Sequence, residues 1–385
     1  MEKVAGILKK NAMIFALLAV VIFFSVATGG KMILPQNVNN LISQNAYVFI
    51  LATGMLLCIL TGGNIDLSVG CVVCISGAAG GSLMIQRGVS PALAIPVMIL
   101  MGVLIGIWQG FWIAYVRIPS FIVTLAGMLI WRGFSNVILQ GLTLAPFPEN
   151  YLAIFNSYVP DFMGGTTTNY TCILVGIVAC IIYIFSQLRG RIIKAKKGYE
   201  VEKMSSMVFK AVVICAAILW FTFKLALYKG IPFILIWIAA VILIYTYITQ
   251  KTVIGRHFYA VGGNEKATKL SGINTNRILF VAYLNMSFLA AVAGLVTAAR
   301  LNSANPTAGT NYEMDAIGAC FIGGASAYGG IGSTSGVVVG ALLMGIINLG
   351  MSIMGVDANW QKVVKGMVLL AAVIFDVLSK KQSNN

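Results

Sequence analysis

Thr61-Gly62-Gly63-Asn64-Ile65-Asp66-Leu67-Ser68-Val69-Gly70 interrupts an apolar stretch that otherwise runs from Ala46 to Ile85. Adjacent glycines break a helix, because glycine loses the most backbone freedom on becoming helical and turns readily to positive φ. Asn64 or Asp66 can cap the helix that follows. Asp66 lies just before that helix, where the helix dipole favours a carboxylate. Each flank is an apolar run of about 17 residues or more, the length of a bilayer crossing. Polar residues at such depth hold a helix break or line a path, and a cap that positions a gate does both. Asn64, Asp66 and Ser68 are therefore the first pathway candidates.

The rest of the chain has the same character. Of its 385 residues 59% are hydrophobic and 10% are charged, where a soluble domain carries about 25% charged residues. A soluble protein of this size could not hide that much apolar surface, so lipid is the solvent. Lipid offers the backbone no hydrogen bonds, which leaves helices or closed barrels. The runs are continuous rather than alternating, so they are helices. The expectation is an all-α, polytopic transmembrane bundle of about 12 membrane segments. They fall near 13–29, 46–62, 69–86, 92–115, 120–139, 171–186, 208–226, 231–249, 277–299, 316–331, 334–354 and 361–378. The tenth is short and glycine-rich, as a broken or re-entrant segment would be. Residues 13–28 follow Lys3, Lys9 and Lys10 without a small-residue cleavage site, and read as the first retained span.

A net charge of +15 invites a nucleic-acid reading. The basic residues instead sit in a few short loops, the pattern that orients a membrane protein. With the amino terminus cytoplasmic, inner segments hold eighteen Lys and Arg and outer segments five. Both termini are then cytoplasmic, and 187–210 and 250–276 are basic inner loops of a single transmembrane domain, 1–385. The long segment 140–170 has Glu149 and Asp161 but no Lys or Arg, as an outer loop should.

Metal and redox chemistry find no support. Seven cysteines lie in apolar stretches, and Cys71 and Cys74 lack a second pair. His257 is the sole histidine. Trp108, Trp112 and Trp220 read as interfacial anchors. Gly102, Gly106 and Gly110, like Gly77 with Gly81 and Gly336 with Gly340, share helix faces and allow close backbone approach.

Two further polar sets stand out. One is Asn302, Asn305, Thr307, Asn311, Glu313 and Asp315 around the tenth span; the other is Asp357, Asn359, Trp360 and Gln361 before the last. Glu313, Asp315, Trp360 and Gln361 join the pathway candidates. Met314-Asp315-Ala316-Ile317-Gly318 distantly echoes the Asp66 segment, and Val364-Lys365-Gly366-Met367 echoes Leu125-Ala126-Gly127-Met128, which hints at an inverted repeat of spans 3–5 and 10–12.

No phosphate-binding Gly-x-x-x-x-Gly-Lys-Ser/Thr loop occurs, so any ATP must be hydrolysed elsewhere. Asp66 and Asp376 are the carboxylates placed in the membrane, few for ion coupling. The loop 250–276 offers another route. Asn264 is a natural N-cap, Glu265 suits the first turn and Gly272 suits the C′ position. These predict a short helix lying across the inner face, suited to docking on a motor subunit.

Four segments carry a family resemblance: Gly62 to Gly70 (GGNIDLSVG), Gly255 to Ile273 (GRHFYAVGGNEKATKLSGI), Glu313 to Gly330 (EMDAIGACFIGGASAYGG) and Trp360 to Asp376 (WQKVVKGMVLLAAVIFD). With the span pattern they cover most of the chain. They resemble the permease subunits of bacterial ABC importers for monosaccharides such as ribose, xylose, arabinose and galactose. The extra region near 187–226 looks like the longer xylose- and multiple-sugar-type members. The resemblance implies a multi-pass protein of the bacterial plasma membrane and no enzyme activity of its own. It implies a separate ATPase subunit that uses ATP and Mg, an extracytoplasmic sugar-binding protein and a pair of permeases. It assigns Asn264, Glu265, Lys266, Ala267, Lys269 and Gly272 to the ATPase contact, and the Asp66 and Asp315 regions to the pathway. Permeases for nucleosides or related furanosyl compounds, and a self-sufficient secondary transporter, are the competing readings.

Overall fold

The computed structural model describes residues 12–165, 167–199, 201 and 204–383. Lys3, Lys9 and Lys10, which anchor the expected orientation, lie outside them, as does Lys203. The described residues form helices and connecting loops, with two isolated β-bridges and no strand. In chain order the α-helices are α1 (Ala12–Ala27), α2 (Pro35–Leu60), α3 (Val69–Gly81), α4 (Pro91–Ala114), α5 (Ser120–Leu139), α6 (Glu149–Phe155), α7 (Tyr170–Lys196) and α8 (Met204–Ala226). There follow α9 (Phe233–Lys251), α10 (Val253–Gly263), α11 (Glu265–Leu270), α12 (Thr275–Leu301), α13 (Tyr312–Ile322), α14 (Thr334–Ile353) and α15 (Ala358–Ser383). A π-helical turn, Ser82–Gln86, extends α3.

Nine helices among the described residues are long and apolar enough to cross a membrane. Three of the expected spans are not among them, each for its own reason. Helix α1 is short, at 16 residues, or about 24 Å. Helix α15 has 26 residues but carries Lys362, Lys365 and Asp376. Helix α13 has only 11 residues, about 16 Å, and irregular chain lies on both sides of it. The predicted 316–331 span is therefore half a helix, and it begins at Tyr312.

The helices sort into a centre and a rim. Helix α2 is buried on all sides from Ala46 to Leu60, which fits its near-continuous apolar sequence. With α3, α12 and α14 it makes the core, whereas α4, α5, α7, α8 and α9 keep broad apolar faces exposed. Such faces suit lipid contact. Helix α12 packs closely on α4 because a Cβ at Gly102 would lie 2.5 Å from the Ala291 Cβ and 2.6 Å from the Ser287 carbonyl oxygen. Gly336 and Gly340 bring α14 onto the α13 backbone in the same way, since a Cβ there would overlap the Gly323 and Ala319 carbonyls. Two other readings change. The Arg189 to Lys196 cations ride on the last turns of α7, not in a loop, and His257 lies on α10.

Candidate translocation and coupling site

The 61–68 break has the predicted place but a different capping pattern. Gly62 and Gly63 take φ of 114° and 73°, and the chain leaves α2 with the Gly63 N–H on the Ile59 carbonyl at 2.8 Å. Neither Asn64 nor Asp66 caps α3. Ser68 is the N-cap residue, and its side chain makes no capping bond. Asp66 Oδ1 instead accepts from the Ser68 N–H at 2.8 Å and the Ser68 hydroxyl at 2.7 Å, a turn closed two residues ahead. Asn64 points the other way: its Nδ2 donates to the Thr61 carbonyl at 3.0 Å, and its Oδ1 accepts from Ser120 Oγ at 3.0 Å.

Asp66 is fully buried, so its second oxygen needs a donor of its own. Gln109 of α4 provides it. Oriented by its neighbours, the Gln109 amide nitrogen donates to Asp66 Oδ2 at 3.1 Å, and its oxygen accepts from Trp131 Nε1 at 3.2 Å. The Tyr283 hydroxyl donates to the Ile65 carbonyl at 3.2 Å. The break is thus a braced turn touching α4, α5 and α12. Gln109, Trp131 and Tyr283 were not singled out from sequence. A lone Gln in an apolar helix was the available signal.

The second polar set builds a discontinuous crossing. After α12 the chain runs back along α3 without helix: Ala304 lies against Gly81, the Asn305 and Pro306 carbonyls face Cys74 Sγ at 3.5 and 3.4 Å, and Gly309 lies against Gly70. This descent covers about 16 Å of α3. Non-helical backbone at membrane depth is tolerated only when protein satisfies its polar groups. Arg132 of α5 does so by donating to the Pro306 and Ala308 carbonyls at 2.8 Å each. Asn305 Oδ1 accepts from the Thr307 N–H at 2.8 Å.

Helix α13 then starts inside the protein, with Glu313 and Asp315 buried in its first turn, where the dipole favours negative charge. Asp315 Oδ2 accepts from the Tyr47 hydroxyl at 2.5 Å and from Lys365 Nζ at 2.9 Å. The Tyr47 and Tyr312 rings stack with centroids 3.5 Å apart. A buried ion pair thus ties α2, α13 and α15 together, and Lys365 went unlisted among the site candidates. Buried carboxylates are also more numerous than the sequence reading allowed, since Glu313 and Asp315 join Asp66. Asp376, in contrast, accepts from the Ala327 N–H at 3.0 Å and so braces the loop after α13.

Asp66 and Asp315 hold unlike positions, one in a loop before its helix and one within a first turn. Gly127 packs on Gln109 and Trp131 while Gly366 faces open space. Trp360 and Gln361 do not join the buried set: Trp360 is exposed, and Gln361 bonds the Val356 carbonyl beside the start of its own helix.

At the expected cytoplasmic end two glycine loops meet the glycine-ended helix α10. The Gly330 N–H donates to the Leu60 carbonyl at 3.0 Å. Gly63 approaches the Ala327 backbone, and Gly262 lies against Leu60 and Gly330 so closely that a Cβ on it would overlap both. Three of the four resemblance segments, far apart in sequence, thus meet at one place.

Beside that junction lies α11, capped as expected. Asn264 Oδ1 accepts from the Ala267 N–H at 2.9 Å, and Gly272 follows the helix with φ 84° and its N–H on the Lys269 carbonyl at 3.0 Å. Lys266, Ala267 and Lys269 are exposed, and Leu270 is 90% exposed. Arg117, itself at φ 65°, donates to Glu265 Oε1 at 2.7 Å and to Thr275 Oγ1 at 3.2 Å, and also reaches Asn276 Oδ1. The Arg117 guanidinium holds the Glu265 carboxyl below its ordinary pKa, helped by the Thr275 hydroxyl and the Lys269 charge. A cavity of about 470 Å³ opens here, lined by Thr61, Asn64, Arg117, Ser120, Asn264 and Glu265 among others. It puts the gate candidate Asn64 and the docking candidates Asn264 and Glu265 on one wall.

Comparison with known proteins follows the same lines. The family described as branched-chain amino acid transport system / permease component matches residues 37–218 and 165–373. The xylose transport system permease protein XylH of Haemophilus influenzae is 37% identical over 370 residues, 96% of each chain. Its Escherichia coli counterpart is 36% identical over 96% of this chain and 92% of its own. The ribose import permease protein RbsC of Escherichia coli is 33% identical over 90% of this chain and 87% of its own. No solved structure matches. The chain is therefore a multi-pass membrane protein and a transporter component, not an enzyme, and it belongs to the permease-component family of ABC transporters that includes the xylose and ribose permeases.

Proposed function

We propose that this chain forms the membrane path of an ATP-driven importer that brings a monosaccharide into the cytoplasm of a bacterium. A pentose of the xylose or ribose kind is favoured by the relatives' names. In this reading a separate ATPase subunit, which binds ATP and Mg, docks on α11. A sugar-binding protein delivers the substrate at the outer face, and two permease copies enclose the path.

One observation carries the reading. Arg117 links Glu265 on the exposed helix α11 to the α4–α5 turn, and Ser120, three residues on, holds Asn64 in the 61–68 break. A push on α11 thus has a short rigid route to the broken segment. The braced break and the half-helix α13 are the elements on which a gate can turn, as discontinuous helices do in other transporters. Asn64, Asp66, Ser68, Glu313 and Asp315 are its pathway residues. Trp360 and Gln361, at the outer start of α15, are placed for contact with the delivering protein.

The test is purification of the tagged chain from its native membrane in mild detergent, followed by reconstitution. A stoichiometric ATP-binding subunit, with sugar uptake that needs ATP, supports the proposal. A chain that arrives alone and moves sugar without ATP overturns it in favour of a secondary transporter, and ATP-driven uptake of nucleosides alone overturns the substrate class.

A further inference from the structure

Helices α7 and α8 form an antiparallel hairpin that stands apart from the core. Helix α7 packs on α8, and α8 leans on α2. The attachment is confined to one end, where Cys172, Leu225, Ala226 and Ile231 cluster with Val38. Towards the other end the hairpin leaves the core, and Ile192, Phe209, Val212 and Val213 are exposed. None of the apolar window of α8 is buried in the chain.

Two features occupy the splayed region. The first is an apolar wedge of about 430 Å³ between Phe221 of α8 and the core, lined by Phe49, Ile238, Ile242, Val338 and Leu342 among others. It runs from Leu235, two residues into α9, to Val338, four residues into α14, so that its Val338 end lies toward the side where α7 terminates. The second is positive charge. A helix needs ~20 residues to traverse the hydrocarbon, and α7 has 27. From Tyr170 it therefore emerges near Arg189, and the next turns carry Lys194, Lys196 and Lys197. All four side chains are exposed, and among the described residues they form no ion pair.

We propose that the α7–α8 hairpin is a binding element for anionic phospholipid. The headgroup phosphate sits among Arg189, Lys194, Lys196 and Lys197, and one acyl chain of the same molecule enters the wedge. Charge complementarity selects the headgroup, and the dry, membrane-depth wedge accepts a hydrocarbon chain and nothing polar. The Val338 end of the wedge is the one an acyl chain from the charged side would enter. This inference does not depend on which substrate the permease carries.

The full chain in neutral detergent is offered equal amounts of phosphatidylglycerol and phosphatidylcholine with identical acyl chains, and the retained lipid is measured by native mass spectrometry. Preferential retention of phosphatidylglycerol is expected. In the triple variant Lys194→Gln, Lys196→Gln, Lys197→Gln that preference should fall by roughly fivefold per lost charge at low salt. Ala239→Trp, which fills the wedge and leaves every charge in place, should lower retention of phosphatidylglycerol as well. It guards against a charge variant that inserts wrongly. Equal retention of the two lipids by the wild-type chain overturns the proposal. So does displacement of the bound lipid by soluble glycerol phosphate, or full retention in Ala239→Trp.

Discussion

Arg117 Nη2 lies 2.7 Å from Glu265 Oε1, joining the turn between α4 and α5 to α11. Both side chains are about 40% exposed (41% and 42%), so the pair contributes little to stability, about 0.2–1 kcal/mol for exposed pairs in general. Its consequence is geometric: it ties α11 to the turn whose Ser120 holds Asn64.

Reversal of that pair separates the two roles. Arg117→Glu or Glu265→Arg alone should leave the folded permease intact and cut sugar uptake per ATP hydrolysed. The double exchange should restore a good part of it. Uptake and hydrolysis measured together in liposomes decide the matter, and a double exchange no better than either single one removes the pair from the coupling route.

Glu265 also gives a pH expectation. Its folded pKa lies below the ordinary value because Arg117 favours the carboxylate. A group with a depressed folded pKa contributes stability that is present above the unfolded pKa, about 4.3. That contribution is lost as pH falls through the folded value. Hydrogen exchange over 264–272 should therefore be level from about pH 5 upward, once corrected for intrinsic rates, and protection should fall in more acidic solution. Glu265→Gln should flatten that acid limb.

Leu270 is the apolar tip of α11 and is left uncovered by the described residues. An apolar anchor seated in a partner's pocket is worth about 2 kcal/mol when it is lost. Leu270→Glu should weaken ATPase-subunit binding by roughly 30-fold while thermal stability of the isolated permease stays the same. Unchanged affinity in a titration would exclude this face as the dock.

Asp315 and Lys365 form a buried pair, the carboxylate 1% and the ammonium 15% exposed. Removing one partner strands the other charge, at a cost of about 3–5 kcal/mol. Lys365→Met should lower the melting temperature in detergent sharply, and Asp315→Asn added to it should recover part of the loss. The recovery is the discriminating result, because simple loss of packing would make the two changes add.

Gly340 allows α14 to meet the Ala319 backbone. A side chain there has no space to grow into, so Gly340→Leu should abolish folding into the membrane-inserted state, read as loss of monodisperse protein in size-exclusion chromatography. Gly366, with nothing within 4 Å, should accept alanine without effect.

Much of this architecture was legible in the residues. Apolar run length found the helices, closely for Ser120–Leu139, because lipid leaves the backbone no alternative to helix; it missed the polar ends, since α2 begins eleven residues before the expected span and α7 ends ten residues beyond it. Local rules placed the 61–68 break and the capped helix α11, since glycine pairs and Asn-Glu starts act within one turn. Long-range pairings were not legible. Asp66 meets Gln109, Asp315 meets Lys365, and Arg132 meets the carbonyls of 306 and 308. Each of those pairings joins residues far apart in sequence, and spacing along the chain says nothing of which helix lies opposite.

Sequence by itself determined that the chain lives in a bilayer, that a helix breaks at 61–68, and that Asn264 caps a short helix ended by Gly272. Those properties follow from composition and from interactions within four or five residues. Only the tertiary structure decided that the expected tenth span is irregular chain followed by a half-helix, and that glycines of three distant segments meet beside α11. Such features depend on backbones packed against one another without side chains between them. A glycine reports that contact is permitted, and only the fold says with what.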